Sequence, residues 1–191
     1  MLITDAQLRD ALDLPASRDQ EVSDMRDAVV ALWEGATRRL WERRVGYVET
    51  FRPRYNARTL ILSLGPVESV ATVETADADG STFTALASTY YAAGGRSIRL
   101  LDGSGFSFWP GQVRVTYTGG FTAEPASGQA ETPADIRRVL ETQARFMLKR
   151  TSDAMIATRS QNFEGGAGVF EQADWHPIFA AVAKRHRRLA P

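Results

Sequence analysis

Apolar residues recur at three- and four-residue steps near the start of the chain, which predicts two amphipathic helices. The first opens on Thr4, whose side chain can form a capping box with Gln7. The second opens on Ser17, with Gln20 completing another capping box, and its pattern continues to about residue 43. At 1.5 Å per residue this helix is about 39 Å long. Because one small core needs less, we expect part of the helix to meet another subunit.

From residue 46 the apolar period changes to two, which is typical of strands with one buried face. Leu60, Leu62 and Leu64 show the alternation, and we expect the helices to cover the apolar face of the sheet. Residues 77–80, Asp-Ala-Asp-Gly, form the clearest hairpin turn. The strands therefore predict a small antiparallel sheet. The six predicted strands lie at residues 47–52, 59–64, 69–75, 81–86, 96–101 and 112–118.

The last strand runs into a Gly-Gly pair and then, after a polar linker, into a helix. Val113, Val115 and Tyr117 alternate on one face of the strand, so we expect them to face the core. Gly119-Gly120 can adopt positive φ. A threonine cap and Pro133 then open a helix predicted over residues 133–150. These elements predict the α+β class, with helices packed on a small antiparallel β-sheet and a C-terminal helical arm.

The end of the chain has a different character from the rest. Residues 151–174 include a Gly-Gly-Ala-Gly run and show no sustained period, which predicts a flexible tether. An amphipathic helix is predicted to follow, from about residue 175 to residue 189. We therefore divide the chain into a core over residues 1–150 and an arm, made of tether and helix, over residues 151–191.

Composition excludes several classes of protein. The chain has 191 residues, of which 43% are hydrophobic and 24% charged, typical of one globular domain with appendages. No apolar run approaches the roughly 20 residues that cross a bilayer, and the first residues do not resemble a secretion signal. The sequence contains no Cys, which excludes disulfides and thiolate chemistry.

The formal net charge of zero conceals an alternation of sign. Residues 1–30 carry a net charge of −4, residues 31–60 of +4, residues 61–131 of −4 and residues 132–191 of +4. Helix-dipole preferences explain part of this pattern, because acids favour helix N-termini and bases C-termini. The remainder suits contacts between complementary faces of neighbouring subunits. The predicted subunit-interface residues are Asp24, Asp27, Arg38, Arg39, Arg43 and Arg44.

We considered nucleic-acid binding for the same basic clusters. Such binding favours aromatic residues interleaved with basic residues. Trp41, between Arg39 and Arg43, shows this arrangement. On the predicted helix Trp41 is expected to pack rather than to stack on a base.

The residues that carry chemistry in enzymes do not combine into a site. The two histidines, His176 and His186, are ten residues apart and lack helical metal-ligand spacing. His176 precedes a proline and is expected to cap a helix, whereas His186 lies on an apolar stripe and is expected to pack or to form an interface.

Other sequence motifs of binding and catalytic sites are incomplete or missing as well. Asp77-x-Asp79-Gly80 begins like a calcium loop, but Ser88 stands at its twelfth position in place of Glu. Phosphate-cradling, dinucleotide-binding and nucleophile-elbow patterns are missing from the sequence. We therefore predict a protein that is not an enzyme, with no cofactor and no metal.

Taken together, the motifs resemble the head-to-tail connector (adaptor) family of tailed bacteriophages and phage-like particles. The resemblance covers most of residues 1–150. Its first part is a long helix that ends in basic residues, at residues 31–44. Its second part is a pair of strands with the motifs Leu-x-Leu, Pro-Val and Ser-Val, at residues 62–74. Its third part, between residues 109 and 150, is the succession of Trp-Pro, Val-x-Val-x-Tyr-x-Gly-Gly-aromatic and Thr-Pro-x-x-Ile. The family's aromatic-x-x-Arg-Glu helix end is replaced here by Met-Leu-Lys-Arg-Thr-Ser-Asp at 147–153.

The resemblance implies a structural virion protein at the head-tail junction, assembled in the cytoplasm of a bacterial host. Such proteins form rings, commonly of twelve subunits, below the portal protein. They extend the DNA channel and dock the stopper or tail-terminator protein, and the DNA passes through without sequence-specific binding. Because no apolar run is long enough to cross a bilayer, we predict no membrane partner. The alternative is a tail-completion or other minor virion structural protein.

By the same resemblance, the C-terminal arm would dock on the portal protein. Its glycine-containing tether and amphipathic helix suit ordering on binding. The predicted portal-binding residues are Trp175, Ile178, Phe179, Val182, Lys184, Arg185, Arg187 and Arg188.

Overall fold

The computed structural model describes residues 1–76, 80, 82–157 and 175–187, with the backbone alone over 151–157. The elements form two compact units that are interleaved in sequence. The helical unit comprises Ile3–Arg38 and Thr132–Pro191, and the sheet unit comprises Met1–Leu2 and Arg39–Glu131. The predicted α+β class, with antiparallel sheets and a C-terminal helix, is confirmed.

The helical unit begins as the sequence predicts. The hydroxyl of Thr4 accepts a hydrogen bond from the Gln7 N–H, and the Gln7 side chain accepts one from the Thr4 N–H, both at 3.1 Å. This reciprocal pair is the predicted capping box. The helices are α1 (Asp5–Leu12), α2 (Asp19–Thr37), α3 (Ala134–Ala157) and α4 (Pro177–His186).

Helix α2 is shorter than predicted at both ends. Ser17 lies in a single 3-10 turn, Ala16–Arg18, and provides no side-chain cap for α2. At the other end Arg38 adopts the left-handed conformation, with φ 54° and ψ 40°, and its N–H bonds back to the last turn. The predicted continuation to residue 43 is wrong. With 19 residues the helix is about 28 Å long, so its length no longer argues for a second subunit.

The sheet unit contains two antiparallel sheets and a short parallel pair rather than the single sheet that was predicted. The four-stranded sheet has the order β1-β7-β3-β4, the three-stranded sheet has the order β2-β6-β5, and β8 pairs with β9. The strands are β1 (Arg44–Phe51), β2 (Thr59–Ile61), β3 (Val67–Ala76), β4 (Phe83–Ala85), β5 (Tyr91–Gly94), β6 (Ser97–Leu100), β7 (Val113–Gly119), β8 (Phe121–Thr122) and β9 (Ala130–Glu131).

Each of the six predicted strands overlaps an observed one. Strand β5 was not predicted, because Tyr-Ala-Ala-Gly offers no alternation of large apolar and polar residues. Strands β8 and β9, which have two residues each, were not predicted either. The predicted hairpin joins β3 to β4, and Thr75 pairs with Thr84, although residues 77–79 of its turn lie outside the described residues.

Side chains from both antiparallel sheets join in one hydrophobic core. Leu60, Leu62 and Leu64 are buried there, together with Val115 and Tyr117 of β7, which are fully buried. The core-facing orientation predicted for Val115 and Tyr117 is confirmed. We expected the helices to cover this apolar face, but its side chains pack in a core formed within the sheet unit.

A partly buried polar network adjoins this core. The Tyr117 hydroxyl donates a hydrogen bond of 2.8 Å to the Glu49 carboxylate and accepts one of 3.2 Å from the Leu64 N–H. The same carboxylate accepts from the Ser63 N–H at 3.0 Å and from its hydroxyl at 2.5 Å. Burial, together with the hydrogen bond to Glu49, raises the pKa of Tyr117 far above its usual value. The network joins β1 and β7 to the segment that follows β2.

The Gly-Gly pair after β7 is required by close backbone contacts. A Cβ on Gly119 would lie 2.5 Å from the Pro66 carbonyl oxygen, and one on Gly120 would lie 2.7 Å from the Glu42 carbonyl oxygen. Gly120 also has a φ of 100°, as anticipated for one member of the pair. Phe121 follows directly and stacks on Trp41, with ring centroids 5.6 Å apart. The sequence motif therefore encodes a crossing of three backbone segments.

Within the part of the chain that the structure describes, no helix combines the length and the apolarity needed to cross a membrane.

Candidate functional site

The predicted arm helix is α4, and its start is anchored to α3. The His176 side chain accepts a hydrogen bond from the Ile178 N–H at 3.3 Å, so His176 caps the helix as expected. The His176 N–H in turn donates to the side-chain carbonyl of Gln143, which is fully buried, at 2.8 Å. This contact was not predicted from the sequence.

One predicted portal-binding side chain lies inside the helical unit. The Phe179 ring is fully buried and meets Trp33 of α2 edge-on, with centroids 5.7 Å apart. His186 packs on the same Trp33 at 5.9 Å, and its Nε2 lies 3.7 Å from the Asp135 carboxylate. Phe179 and His186 therefore fasten α4 to α2 and α3 of the same chain.

The remaining arm residues present a mixed apolar and basic surface. Ile178 is 54% exposed and Trp175 37% exposed, while Val182 is half-buried. The exposed cations are Lys184, Arg185 and Arg187, and Arg188 lies outside the described residues. The tether predicted over residues 151–174 is wrong for residues 151–157, which continue α3, and residues 158–174 lie outside the described residues. Portal binding by this surface stays a prediction. The division of the chain into a core and an arm at residue 150 also stays a prediction.

The basic cluster predicted to face a neighbouring subunit is divided between different environments. Arg43 donates two hydrogen bonds to Glu68, at 2.8 and 3.1 Å, and this pairing lowers the pKa of the Glu68 carboxyl. Arg38 is exposed at the end of α2, and Arg44 is exposed beside the Tyr47 ring. Arg39 is half-buried. Arg38 and Arg44 are thus the members best placed for contact with another molecule.

The predicted acidic partners lie on α2. Asp24 is exposed and accepts a hydrogen bond of 2.9 Å from the Gln20 side chain. Asp27 is exposed and pairs with Arg26 at 2.6 Å. Both carboxylates reach solvent, and their role at a subunit interface stays a prediction.

Trp41 packs, as expected, although not on a helix. It is 3% exposed, stacks on Phe121 and lies under the Arg96 guanidinium at 4.7 Å. Its ring faces are therefore occupied within the sheet unit.

A basic and aromatic turn that was not predicted connects β1 to β2. It comprises residues 52–56, Arg-Pro-Arg-Tyr-Asn, and we call it the Arg-Tyr turn. Tyr55 is 83% exposed, and Arg52 and Arg54 are exposed beside it. The signal was visible in the sequence, because an aromatic residue stands among arginines there.

Side chains suited to metal binding are not gathered anywhere in the described ranges. They contain no group of three or more His, Asp or Glu side chains that could hold a metal ion. A cleft beside Gly120 and Gln129 includes one ionisable side chain, Glu68, which is paired with Arg43. The surfaces described above are the candidates for function.

Comparison with known proteins gives a result at the level of the fold. No protein-family model matches the sequence, and a search of curated proteins finds no significant match. Solved structures of gene transfer agent (GTA) particles contain chains of similar structure. A chain in the neck of an empty GTA particle, computed with C6 symmetry, matches with a TM-score of 0.61 over 100% of this chain and 91% of that one, at 19% identity. The two share a fold.

Two further GTA structures agree. A chain in the virion of the native particle matches with a TM-score of 0.61 and 21% identity over 100% of this chain and 91% of its own length. A chain in the neck of the native particle, computed with C12 symmetry, matches with a TM-score of 0.58 and 20% identity over 97% and 88%. At these identities the shared property is the fold, and it extends along almost the whole length of both chains.

Proposed function

We propose that this protein is a structural component of the neck of a tailed phage or phage-like particle, located at the head-tail junction. The observation that carries the proposal is the fold shared over nearly the full length with chains from GTA neck structures. The resemblance in sequence to the connector family also supports it. The Gly-Gly pair that follows β7 is part of this resemblance, and it lies where neighbouring backbone segments leave no room for a side chain.

Within the neck, we propose a ring of identical subunits, commonly twelve in the family that the sequence resembles. The necks that contain the similar chains were computed with C6 and C12 symmetry. A closed ring needs two different, complementary faces on each subunit. Exposed Asp24 and Asp27 on α2, with exposed Arg38 and Arg44, offer charges of both signs for such faces. Arg43 contributes less, because Glu68 already holds it.

We further propose that the ring binds the portal protein, extends the DNA channel and docks the stopper or tail-terminator protein. The portal-facing element is the outer surface of α4, where Trp175 and Ile178 are exposed beside Lys184 and Arg185. Aromatic and arginine side chains are enriched among residues that dominate binding energy at protein interfaces. Phe179 supports this surface from inside the helical unit.

Deletion of the gene from the producing phage or host tests the proposed location. We expect DNA-filled heads without tails, and complementation with a tagged copy should place the tag at the junction of head and tail. Tags found on the capsid or along the tail tube would contradict the proposal. A tag confined to the end of the tail tube, on tails that have not joined heads, would favour the tail-completion alternative.

Portal attachment is tested by the variant Ile178→Asp/Lys184→Glu/Arg185→Glu, whose three positions are exposed. We expect it to fold and to lose attachment to DNA-filled heads. The matched control Arg138→Glu/Lys149→Glu changes two exposed cations of α3. Attachment of the triple variant at the level of the control would contradict the role of α4.

A further inference from the structure

The Arg-Tyr turn is exposed but held in one conformation. The Ala57 N–H donates to the Arg54 carbonyl at 3.0 Å, and Asn56 takes a φ of 66° inside the turn. The next residues are fixed by Trp109, whose N–H donates to the Ala57 carbonyl at 2.9 Å and whose indole N–H donates to the Arg58 carbonyl at 3.0 Å. A turn whose following residues are anchored by a buried tryptophan loses less conformational entropy on binding a partner than a free loop does.

The turn presents its aromatic ring to solvent. Tyr55 is 83% exposed, the highest value among the large hydrophobic side chains of the described residues, and its ring contacts Phe108 at 5.2 Å. This contact orients the ring without covering it. Phe106 is also exposed, at 40%, in the loop that contains Phe108.

The positive charge of the turn is not compensated. Arg52 and Arg54 make no ion pair with any residue that the structure describes, whereas Arg58, at the base of the loop, pairs with Asp102 at 2.5 Å. Two unpaired guanidinium groups therefore stand on either side of Pro53, next to an exposed phenol and an amide.

We propose that the Arg-Tyr turn binds the sugar-phosphate backbone of duplex DNA without reading its sequence. Arginine, tyrosine and asparagine all belong to the side-chain types that hydrogen-bond phosphate and sugar oxygens. Arg52, Arg54 and Tyr55 are exposed, so they can reach phosphate and sugar oxygens at the surface of a duplex without a recess. Contact with the backbone, through charge and hydrogen bonds, is what this surface can make.

The inference rests on the proposed ring, in which the channel carries DNA and each subunit presents one turn. Two phosphate contacts per subunit are weak at physiological salt, and linking many such contacts in a ring increases their combined effect. Because the contacts do not depend on sequence, DNA can still slide through. The turn would thus steady the DNA in the channel without holding it at one position.

The test measures the affinity of the full-length protein for a fluorescent 30-base-pair duplex over a series of salt concentrations. The variant Arg52→Glu/Arg54→Glu is compared with Arg138→Glu/Lys149→Glu, which changes the net charge by the same amount at exposed positions on α3. We expect the turn variant to weaken binding at least tenfold at low salt and the control to weaken it less than threefold. The slope of log K against log salt should fall by about two in the turn variant, since each lost phosphate contact removes about 0.9.

Other ligands and variants sharpen the result. Tyr55→Ala should weaken binding severalfold and leave the salt slope unchanged, because it removes no charge. Single-stranded DNA of equal length and poly-glutamate serve as competitors. Tighter binding of the single strand would overturn the duplex assignment, and stronger competition by poly-glutamate would identify an acidic protein surface as the partner.

Failure of this inference is separable from failure of the proposed function. Equal weakening by the turn variant and the control, or no binding of duplex by the wild type, overturns the inference. Incorporation of the turn variant into particles is scored independently, by its presence at the head-tail junction. If it is incorporated and DNA binding is unaffected, the neck assignment stands and the role of the turn does not.

Discussion

The two units of this protein build their cores from different parts of the sequence. The hydrophobic core cluster of the sheet unit comes from one continuous segment, residues 60–117, in which Leu62 follows β2, Val73 lies in β3 and Val115 lies in β7. The helical unit instead joins Trp33, near the start of the chain, to Phe179, near its end. A local pattern therefore suffices to identify the first core, whereas the second depends on a helix that returns from far along the sequence.

This difference has a functional consequence for α4. An amphipathic helix can pack within its own unit, or it can form a free arm whose apolar side binds a partner. Its sequence pattern is the same in both cases. Phe179 and His186 face Trp33, while Ile178 and Lys184 face solvent. We infer that one side of α4 completes the helical unit and the other remains for binding.

The largest expected effect tests the core of the sheet unit. Val115→Asp places a carboxylate at a fully buried position of β7, where no partner for the charge is available among its neighbours in the hydrophobic core. An unpaired buried charge costs on the order of several kcal/mol, so we expect the variant not to fold. Circular dichroism and thermal melting check this. A melting temperature within a few degrees of the wild type would show that the strand assignment is wrong.

The next effect tests whether α4 belongs to the helical unit. Phe179→Ala should lower the free energy of unfolding by about 3–5 kcal/mol, because it removes a fully buried ring that packs on Trp33. The neighbouring variant Ile178→Ala, at a position that is 54% exposed, should cost about 0.5 kcal/mol. Denaturant titration measures both. Equal and small losses would indicate that α4 does not contribute to the core.

A smaller effect concerns the polar network of the sheet unit. Tyr117→Phe should cost about 1–3 kcal/mol at neutral pH, because the Glu49 carboxylate and the Leu64 N–H each lose a buried partner. If Tyr117→Phe unfolded with the same free energy as the wild type, the network would not hold the sheets together. Denaturant titration at pH 7 measures the difference.

The same residue predicts a pH dependence with a definite sign. The pKa of Tyr117 is raised in the folded state, so the folded protein keeps the proton at pH values where the unfolded chain has lost it. Its contribution to stability is complete below about pH 10 and declines above it, by up to about 1.4 kcal/mol per pH unit. The difference in stability between wild type and Tyr117→Phe should therefore shrink above pH 10. A difference that stays constant to pH 12 would contradict this.

The smallest effect comes from a cross-strand ion pair at the surface of the sheet unit. Arg114 donates two hydrogen bonds to Glu74, at 2.7 and 3.0 Å, and lowers the pKa of that carboxyl. The pair stabilises the fold above the ordinary carboxyl pKa of 4.5, and this contribution is lost as the pH falls through the lowered value. Glu74→Gln should lose less stability than Tyr117→Phe and should show a weaker acid dependence than the wild type.

The sequence is most informative where periodicity and cap chemistry act locally. The Thr4 capping box, the inward face of β7 and the cap at His176 all follow from neighbouring residues. The end of α2 at Thr37 was not predicted. Arg38 ends the helix in a left-handed conformation, a position where glycine is the usual residue and arginine is uncommon. The hydrogen bond of Gln143 was not predicted either, since its partner is the backbone of His176, far along the chain.

The candidate surfaces follow the same division. Exposure of Asp24 and Arg38 agrees with the residue types, but the pairing of Arg43 with Glu68 depends on which strands lie beside each other. The Arg-Tyr turn had a local signal in its interleaved arginines and tyrosine. What the sequence could not supply was the exposure of Tyr55, which depends on how Trp109 and Phe108 hold the loop.

The central claim, a ring of this protein at the head-tail junction, is tested most directly by a cryo-EM reconstruction of that junction in intact particles. The reconstruction should be calculated without imposed symmetry, so that the number of copies is an observation. We expect a closed ring of this chain, with twelve copies around the DNA channel and α4 turned toward the portal protein. A single copy at the junction, an isolated dimer, or the absence of this chain from the neck would contradict the account.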